Sequence, residues 1–252
     1  MIKTHLGETI DIHGGGRDLI FPHHENEVAQ STCTHDGKTF VRYWMHNGYI
    51  NIDGEKMSKS LGNFKLVNDL LDHYAGETLR FALLSAHYRS ELTFGTDLLD
   101  QAKATLDTFY AALQAVDSVV ALAPSDAELA EQPYFQALLD DLNTPIAVRE
   151  LLAIAKAMPL AEPAQQSVLK GRLLAGAMLL GLLNHEPDEW FKMTLAARSN
   201  DLSSEQIEAL IEQRKAAKLA KDYALADTIR QGLEAKGVIL EDSREGTRWR
   251  RQ

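Results

Sequence analysis

At 252 residues, 45% hydrophobic and 25% charged, the chain reads as a soluble globular protein with room for two or three compact units. A formal charge of −10 excludes a protein that coats nucleic acid non-specifically, because such binding relies on Lys and Arg to neutralise phosphates. A nucleic-acid partner met along a confined basic track stays open. No run approaches the roughly 18 to 20 apolar residues of a membrane span. Met1 leads straight into Ile2-Lys3-Thr4-His5, without the pattern of a signal peptide. The one cysteine, Cys33, allows neither an internal disulfide nor a zinc site built from cysteines alone. The expectation is a cytoplasmic protein with no membrane partner.

Residues 1 to 64 are rich in Gly, His and aromatics, and short apolar runs alternate with turn residues such as Asp36-Gly37 and Asp53-Gly54. This texture predicts strand, helix, strand and a functional loop. The glycine run Asp11-Ile12-His13-Gly14-Gly15-Gly16-Arg17-Asp18 tolerates positive φ and lets backbone amides approach a nucleotide; a plain flexible loop has the same composition. Pro22, suited to a first helical turn, opens a helix through His23-His24-Glu25-Asn26-Glu27 to Gln30. His23 and Glu27 lie four apart on one face, where they form either a surface pair or two ligands of a metal ion. Phe40-Val41-Arg42-Tyr43-Trp44 follows as a strand. The loop Lys56-Met57-Ser58-Lys59-Ser60 sits between Gly54 and Gly62. Its two ammonium groups can follow charge developing on a leaving pyrophosphate, with serine hydroxyls adding hydrogen bonds. A solvated turn is the other reading.

From Val67 the apolar residues recur at spacings of three and four, from Leu70, Leu71 and Tyr74 through Leu106, Phe109, Tyr110 and Leu113, which predicts helices as far as about residue 193. Breaks fall at Ala123-Pro124-Ser125-Asp126, at Asn143-Thr144-Pro145 and at Ala161-Glu162-Pro163. Asn200 to Glu205 reads as a linker ending in a helix cap. Two helices over about 204–219 and 222–235 come next, then a hairpin from Gly237 to Trp249. Arg214, Lys215, Lys218 and Lys221 share the first of these helices, and Arg248, Arg250 and Arg251 end the chain; they are solvated charges or a track for a polyanion.

Together, the glycine run, the His-His-Glu-Asn-Glu helix, Tyr43-Trp44-Met45-His46 and the lysine loop extended by Leu61-Gly62-Asn63 closely resemble the cysteinyl-tRNA synthetase family, and the likeness runs to the last residue. The fold it implies is mostly α: the C-terminal part of an α/β Rossmann-type class I catalytic domain, then a helical bundle and a small α+β C-terminal domain. The units expected are 1–64 catalytic, 65–115 stem-contact helices, 116–199 a tRNA-binding bundle and 200–252 an anticodon-recognition domain. The lysine loop resembles the second signature loop of class I synthetases, which makes Lys56 and Lys59 catalytic and places Lys59, Ser58, Gly15 and His13 against ATP, with Mg2+. In the family, zinc in the amino-acid pocket is held by two cysteines and by the residues matching His23 and Glu27, and the substrate thiolate completes it. A soft metal prefers sulfur, so serine is rejected without editing. Lys218, Tyr223, Asp227 and Asp242 match positions that approach anticodon bases, through stacking and hydrogen bonds to an unpaired loop.

The resemblance also has gaps. Both family zinc cysteines and the first ATP signature, a His-Ile-Gly-His-like element, have no counterpart in this sequence, and Cys33 matches neither cysteine. The expectation is a chain that starts inside the catalytic domain and that alone binds zinc and ATP weakly and forms no adenylate. Its expected partners are tRNA(Cys), cysteine and ATP, and its expected state is a monomer. Two other readings compete: a non-catalytic tRNA-binding module derived from the synthetase, and a cysteine ligase of the mycothiol-synthesis type. Intact Lys56, Lys59, His23 and Glu27 argue against the first, and the Lys218 to Trp249 segment against the second.

Overall fold

The computed structural model describes residues 2–52, 55–56 (backbone), 66–193, 202–242 and 246–251. A short helix α1 (Ile2–Leu6) precedes strand β1 (Ile10–Gly16), helix α2 (Glu25–Thr34) and strand β2 (Val41–Asn47). β1 and β2 pair in parallel, with Ile10 opposite Val41, His13 opposite Trp44 and Gly15 opposite His46. Parallel strands need a crossover, and α2 provides it. The helical run begins at Pro22, after an extended Phe21 (φ −132°, ψ 133°), and continues to Thr34, one turn beyond the expected end. Ile10, Phe40 and Val41 form a small core here, packed by Val28 and Trp44.

Strand β3 (Ile50–Ile52) pairs antiparallel with β4 (Glu55–Lys56) and parallel with β5 (Leu92–Thr93). β5 was not expected: two residues are too few to leave a period-two pattern. Helices α3 (Val67–Leu71) and α4 (Gly76–Leu84) lie between, and α5 (Thr96–Ala115) follows. α5 buries Leu99, Ala102, Leu106, Phe109, Tyr110 and Leu113, a stripe at helical spacing.

Helices α6 (Asp126–Ala130), α7 (Pro133–Leu139), α8 (Thr144–Ala157), α9 (Pro163–Leu180) and α10 (Pro187–Lys192) complete the bundle. Ser125 and Glu128 form a capping box at α6. Asn143 caps α8 through a side chain that accepts from the Ile146 amide, and the Thr144 hydroxyl donates to the Leu84 carbonyl at 2.7 Å. α9 ends at Gly181 in the left-handed region (φ 64°), where the amides of Gly181 and Leu182 reach the carbonyls of Met178 and Ala177. One continuous core runs from Leu79 to Trp190.

Helices α11 (Ser204–Leu219) and α12 (Tyr223–Glu234) and the hairpin β6 (Val238–Asp242) and β7 (Thr247–Arg251) enclose a separate core of Ile207, Ile211, Leu233, Val238, Leu240 and Trp249. A Ser203–Gln206 capping box starts α11. Among the described residues, no helix is long and apolar enough to cross a membrane.

Candidate active site and nucleic-acid interface

Strand alternation puts His13 and Gly15 on one face of β1, beside Trp44 and His46 of β2, and the start of α2 crosses that face. The result is a cluster of imidazoles around a single carboxylate. Glu27 Oε2 lies 3.1 Å from His13 Nε2, and Glu27 Oε1 lies 3.7 Å from His23 Nε2. His24 is buried, its Nδ1 2.8 Å from His46 Nε2, and its ring meets His13 edge-on at 4.7 Å. Trp44 stacks parallel to His46 and packs against both His13 and His24. Burial, together with the neighbouring imidazoles of His13 and His46, lowers the pKa of His24 below the ordinary histidine value. A neutral imidazole keeps a lone pair for a ligand.

Glu27 Oε2 is buried, and its 3.1 Å contact with His13 Nε2 lacks hydrogen-bond geometry, so no donor among the described residues satisfies it. Ligand atoms of His13, His24 and Glu27 all lie within 4.8 Å of one another, a spacing that suits one cation. His23 and Glu27, the pair selected by sequence, do face each other. His23 nevertheless falls outside that closer group, and His13 and His24 fall inside it. His24 escaped sequence reasoning because the i,i+4 rule pairs Glu27 with His23; the available signal was the alternation of β1, which fixes which side chains the helix meets. Gly15 has a steric role that its composition did not suggest. A Cβ there would stand 3.0 Å from His24 Cε1 and 3.3 Å from His24 Nε2, so Gly15 makes room for the imidazole.

Gly14 and Gly15 also border a cavity of about 580 Å³, lined further by Met45, Asn47, Leu83, Leu84, Tyr88 and Thr144. Lys56 ends β4, and Ser58 and Lys59 lie outside the described residues. Cys33 is exposed in the last turn of α2.

In the C-terminal unit, Asp242 accepts from Arg214 Nη1 and Nη2 at 2.9 and 2.8 Å, from Lys218 Nζ at 3.0 Å and from the Thr247 hydroxyl at 2.7 Å. The Arg214 guanidinium above all, then Thr247, drives the Asp242 carboxyl far below the usual range. Tyr223 is 62% exposed in the first turn of α12, and Asp227 is exposed one turn on, its charge acting on Arg214. Lys218, Asp227 and Asp242 thus gather around Arg214, which sequence reading had grouped only with surface charges. Trp249 is buried and donates to Glu208 at 2.7 Å, so it serves the core. The terminal arginines are partly committed: Arg250 pairs with Glu241, and Arg251 donates to the Leu202 carbonyl.

Residues 1–104 match the family described as the class I (C) tRNA synthetase catalytic domain. The leucyl enzyme in the LeuRS-tRNA-LeuAMS ternary complex from Agrobacterium radiobacter K84 shares the fold, with a TM-score of 0.54 at 19% identity over 74% of this chain and 28% of that one. The fold is therefore shared with a tRNA synthetase, and residues 1–104 carry the class I (C) catalytic-domain match. Across 251 residues the chain is 59% identical to the cysteine-tRNA ligase of Saccharophagus degradans, covering 100% of this chain and 54% of that protein. It is 49% identical to the cysteine-tRNA ligase of Xanthomonas campestris pv. campestris, over 100% of this chain and 53% of the relative. The chain belongs to the cysteine-tRNA ligase family, and it spans about half the length of the curated relatives it matches.

Proposed function

We propose that this chain serves ATP-dependent activation of cysteine and its transfer to tRNA(Cys), in a cytoplasmic, monomeric cysteine-tRNA ligase. The observation that carries the reading is the half-buried Glu27 carboxylate, set among imidazoles at the edge of the glycine strand, with one buried oxygen that no donor meets in hydrogen-bond geometry. A buried carboxylate oxygen left without a donor is costly unless a cation meets it. The donor set of imidazole nitrogen and carboxylate oxygen fits Zn2+, with His23 and Glu27 as ligands and His13 and His24 close by. Bound there, zinc supplies a soft acceptor that favours a cysteine thiolate over a serine hydroxyl.

The chain's own residues do the rest. His46 holds His24 through a 2.8 Å hydrogen bond, and Trp44 packs the imidazoles into fixed orientations. Gly15 and His13 border the space for ATP. Lys56 and Lys59 act as mobile ammonium groups that stabilise the departing pyrophosphate alongside Mg2+, and Ser58 adds a hydrogen bond. Residues 65–115 and 116–199 meet the acceptor arm and anticodon stem, and 200–252 recognise the anticodon loop, with Lys218, Tyr223, Asp227 and Asp242 as the tRNA-binding residues.

The test replaces the matching half of the Saccharophagus degradans ligase with this chain and measures cysteine-dependent ATP–pyrophosphate exchange. Exchange at a rate near that of the parent is expected, and Lys59→Ala should slow it by orders of magnitude with little change in the KM for cysteine. A folded chimera without exchange, or a Lys59→Ala effect confined to KM, contradicts the reading.

A further inference from the structure

We propose that Arg214 is a positioning residue for anticodon recognition: it anchors the Asp242 carboxylate from beneath, so that Lys218 is the partner Asp242 gives up when a base arrives. This rests on the base-reading role proposed above for Asp242.

An ionised carboxylate offers about four lone-pair directions, and Asp242 fills them with four donors. No direction is left for a base. A reader in this state must first release a donor, and the four differ in how easily they let go. The Arg214 side chain is 6% exposed and forks onto both carboxylate oxygens, and Thr247 is the register partner of Asp242 across the hairpin. The Lys218 side chain is 44% exposed, holds Asp242 through one hydrogen bond, and sits on a flexible four-carbon stem. Lys218 is the weakest hold. Its departure frees one lone pair on Oδ2 for an exocyclic amine and turns its ammonium toward a neighbouring phosphate.

Arg214 stays behind for a physical reason. A planar, permanently charged fork keeps the carboxylate ionised and oriented, whereas a carboxylate held only by Thr247 would rotate. A buried guanidinium adds little stability over an apolar side chain of equal volume, so stability alone does not account for it. Its position under a carboxylate that bonds two α11 side chains while staying 44% exposed to solvent does. Asp227 reinforces the same charge from α12.

The experiment uses the full chain and fluorescence anisotropy with tRNA(Cys) and with transcripts altered at each anticodon position. The readout is the ratio of dissociation constants between altered and native RNA. The wild-type chain should discriminate by at least about tenfold at one position, the scale of one well-placed hydrogen-bond pair. Asp242→Asn and Arg214→Met should each bring that ratio to within about threefold of unity, and Arg214→Lys should restore part of it. Lys218→Ala should weaken binding to all the RNAs and flatten the salt dependence, while keeping the ratio. A folded Arg214→Met that keeps the wild-type ratio overturns the proposal, and so does a collapsed ratio in Lys218→Ala. If the Arg214 variants do not fold, Lys218→Ala decides. An unchanged ratio in Asp242→Asn instead removes the base-reading role, which separates that failure from a failure of Arg214.

Discussion

Replacing Glu77 should unfasten the bundle core, and the structure sets the size of the effect. Glu77 is buried in α4 and accepts from the Tyr110 hydroxyl at 3.2 and 3.0 Å, from the Leu183 amide at 2.7 Å and from the Asn184 amide at 3.3 Å. It therefore ties α4 to α5 and to the turn after α9. Glu77→Ala orphans these donors, but Asn184 is exposed and its amide can turn to water. Two donors remain costly, at about 1–3 kcal/mol each, which gives a loss of about 2–6 kcal/mol. Tyr110→Phe removes one donor and leaves the carboxylate two others, so it should cost about 1 kcal/mol. Glu77→Gln should fall between, because its NH2 group faces donors. The chain has separate cores, so a local probe is needed. Trp190, stacked on Tyr110 at 4.5 Å, provides one by fluorescence during urea unfolding. A Glu77→Ala loss below about 1 kcal/mol, or an order in which Tyr110→Phe is the worst, refutes the argument.

Three further outcomes follow from the geometry. Glu27→Gln should weaken Zn2+ or Co2+ binding by at least about tenfold in calorimetry, since it removes the carboxylate at the centre of the imidazoles; unchanged affinity would move the metal elsewhere. Gly171→Ala should cost several kcal/mol in thermal unfolding, because a Cβ would stand 1.8 Å from the Leu122 carbonyl oxygen, a backbone atom that cannot step aside. The Asp141 carboxyl should titrate at about 2 by NMR, held down first by Arg89 and then by Tyr88, and Arg89→Gln should raise it. Because the folded value is the depressed one, its contribution is complete above the ordinary carboxylate range near 3.9 and is lost as pH falls from there to about 2.

The local signals in the sequence proved sufficient for elements and insufficient for the site. The spacing of Ala102, Leu106, Phe109, Tyr110 and Leu113 gave α5, and the linker ending in a helix cap before about residue 204 marked the start of α11. Such periodicities report which face is buried, whereas β5 and α1 are too short to produce one. The imidazole cluster needed a different kind of information. His13 and His24 are eleven residues apart and meet only because β1 and β2 pair in one register and α2 crosses the face that register defines. Arg214 and Asp242 meet across the packing of a helix on a hairpin, a contact that no spacing rule encodes.

The Asp140 to Thr144 turn shows how such non-local contacts also decide backbone shape. Asp141 and Leu142 are consecutive non-glycine residues in the left-handed region, at φ 53° and 56°. That conformation costs an L residue roughly 1–2 kcal/mol at each position. The ion pair with Arg89 is solvent-open and screened, so by itself it does not offset two such residues. The remaining hold is distributed. Leu142 and Asn143 donate to the carbonyls of Leu138 and Ala137, Asn143 caps α8, Tyr88 bonds Asp141 at 2.6 Å and Thr144 bonds the Leu84 carbonyl. Tyr88 in turn accepts the Gly48 amide, so the turn is fastened through one residue to the segment that follows β2. Gly48 cannot carry a side chain without disturbing that link, since a Cβ would stand 2.1 Å from the Ser90 carbonyl oxygen. The bundle and the glycine strand are therefore joined by a chain of short, mutually dependent contacts, and the strained turn exists because each of its neighbours requires it.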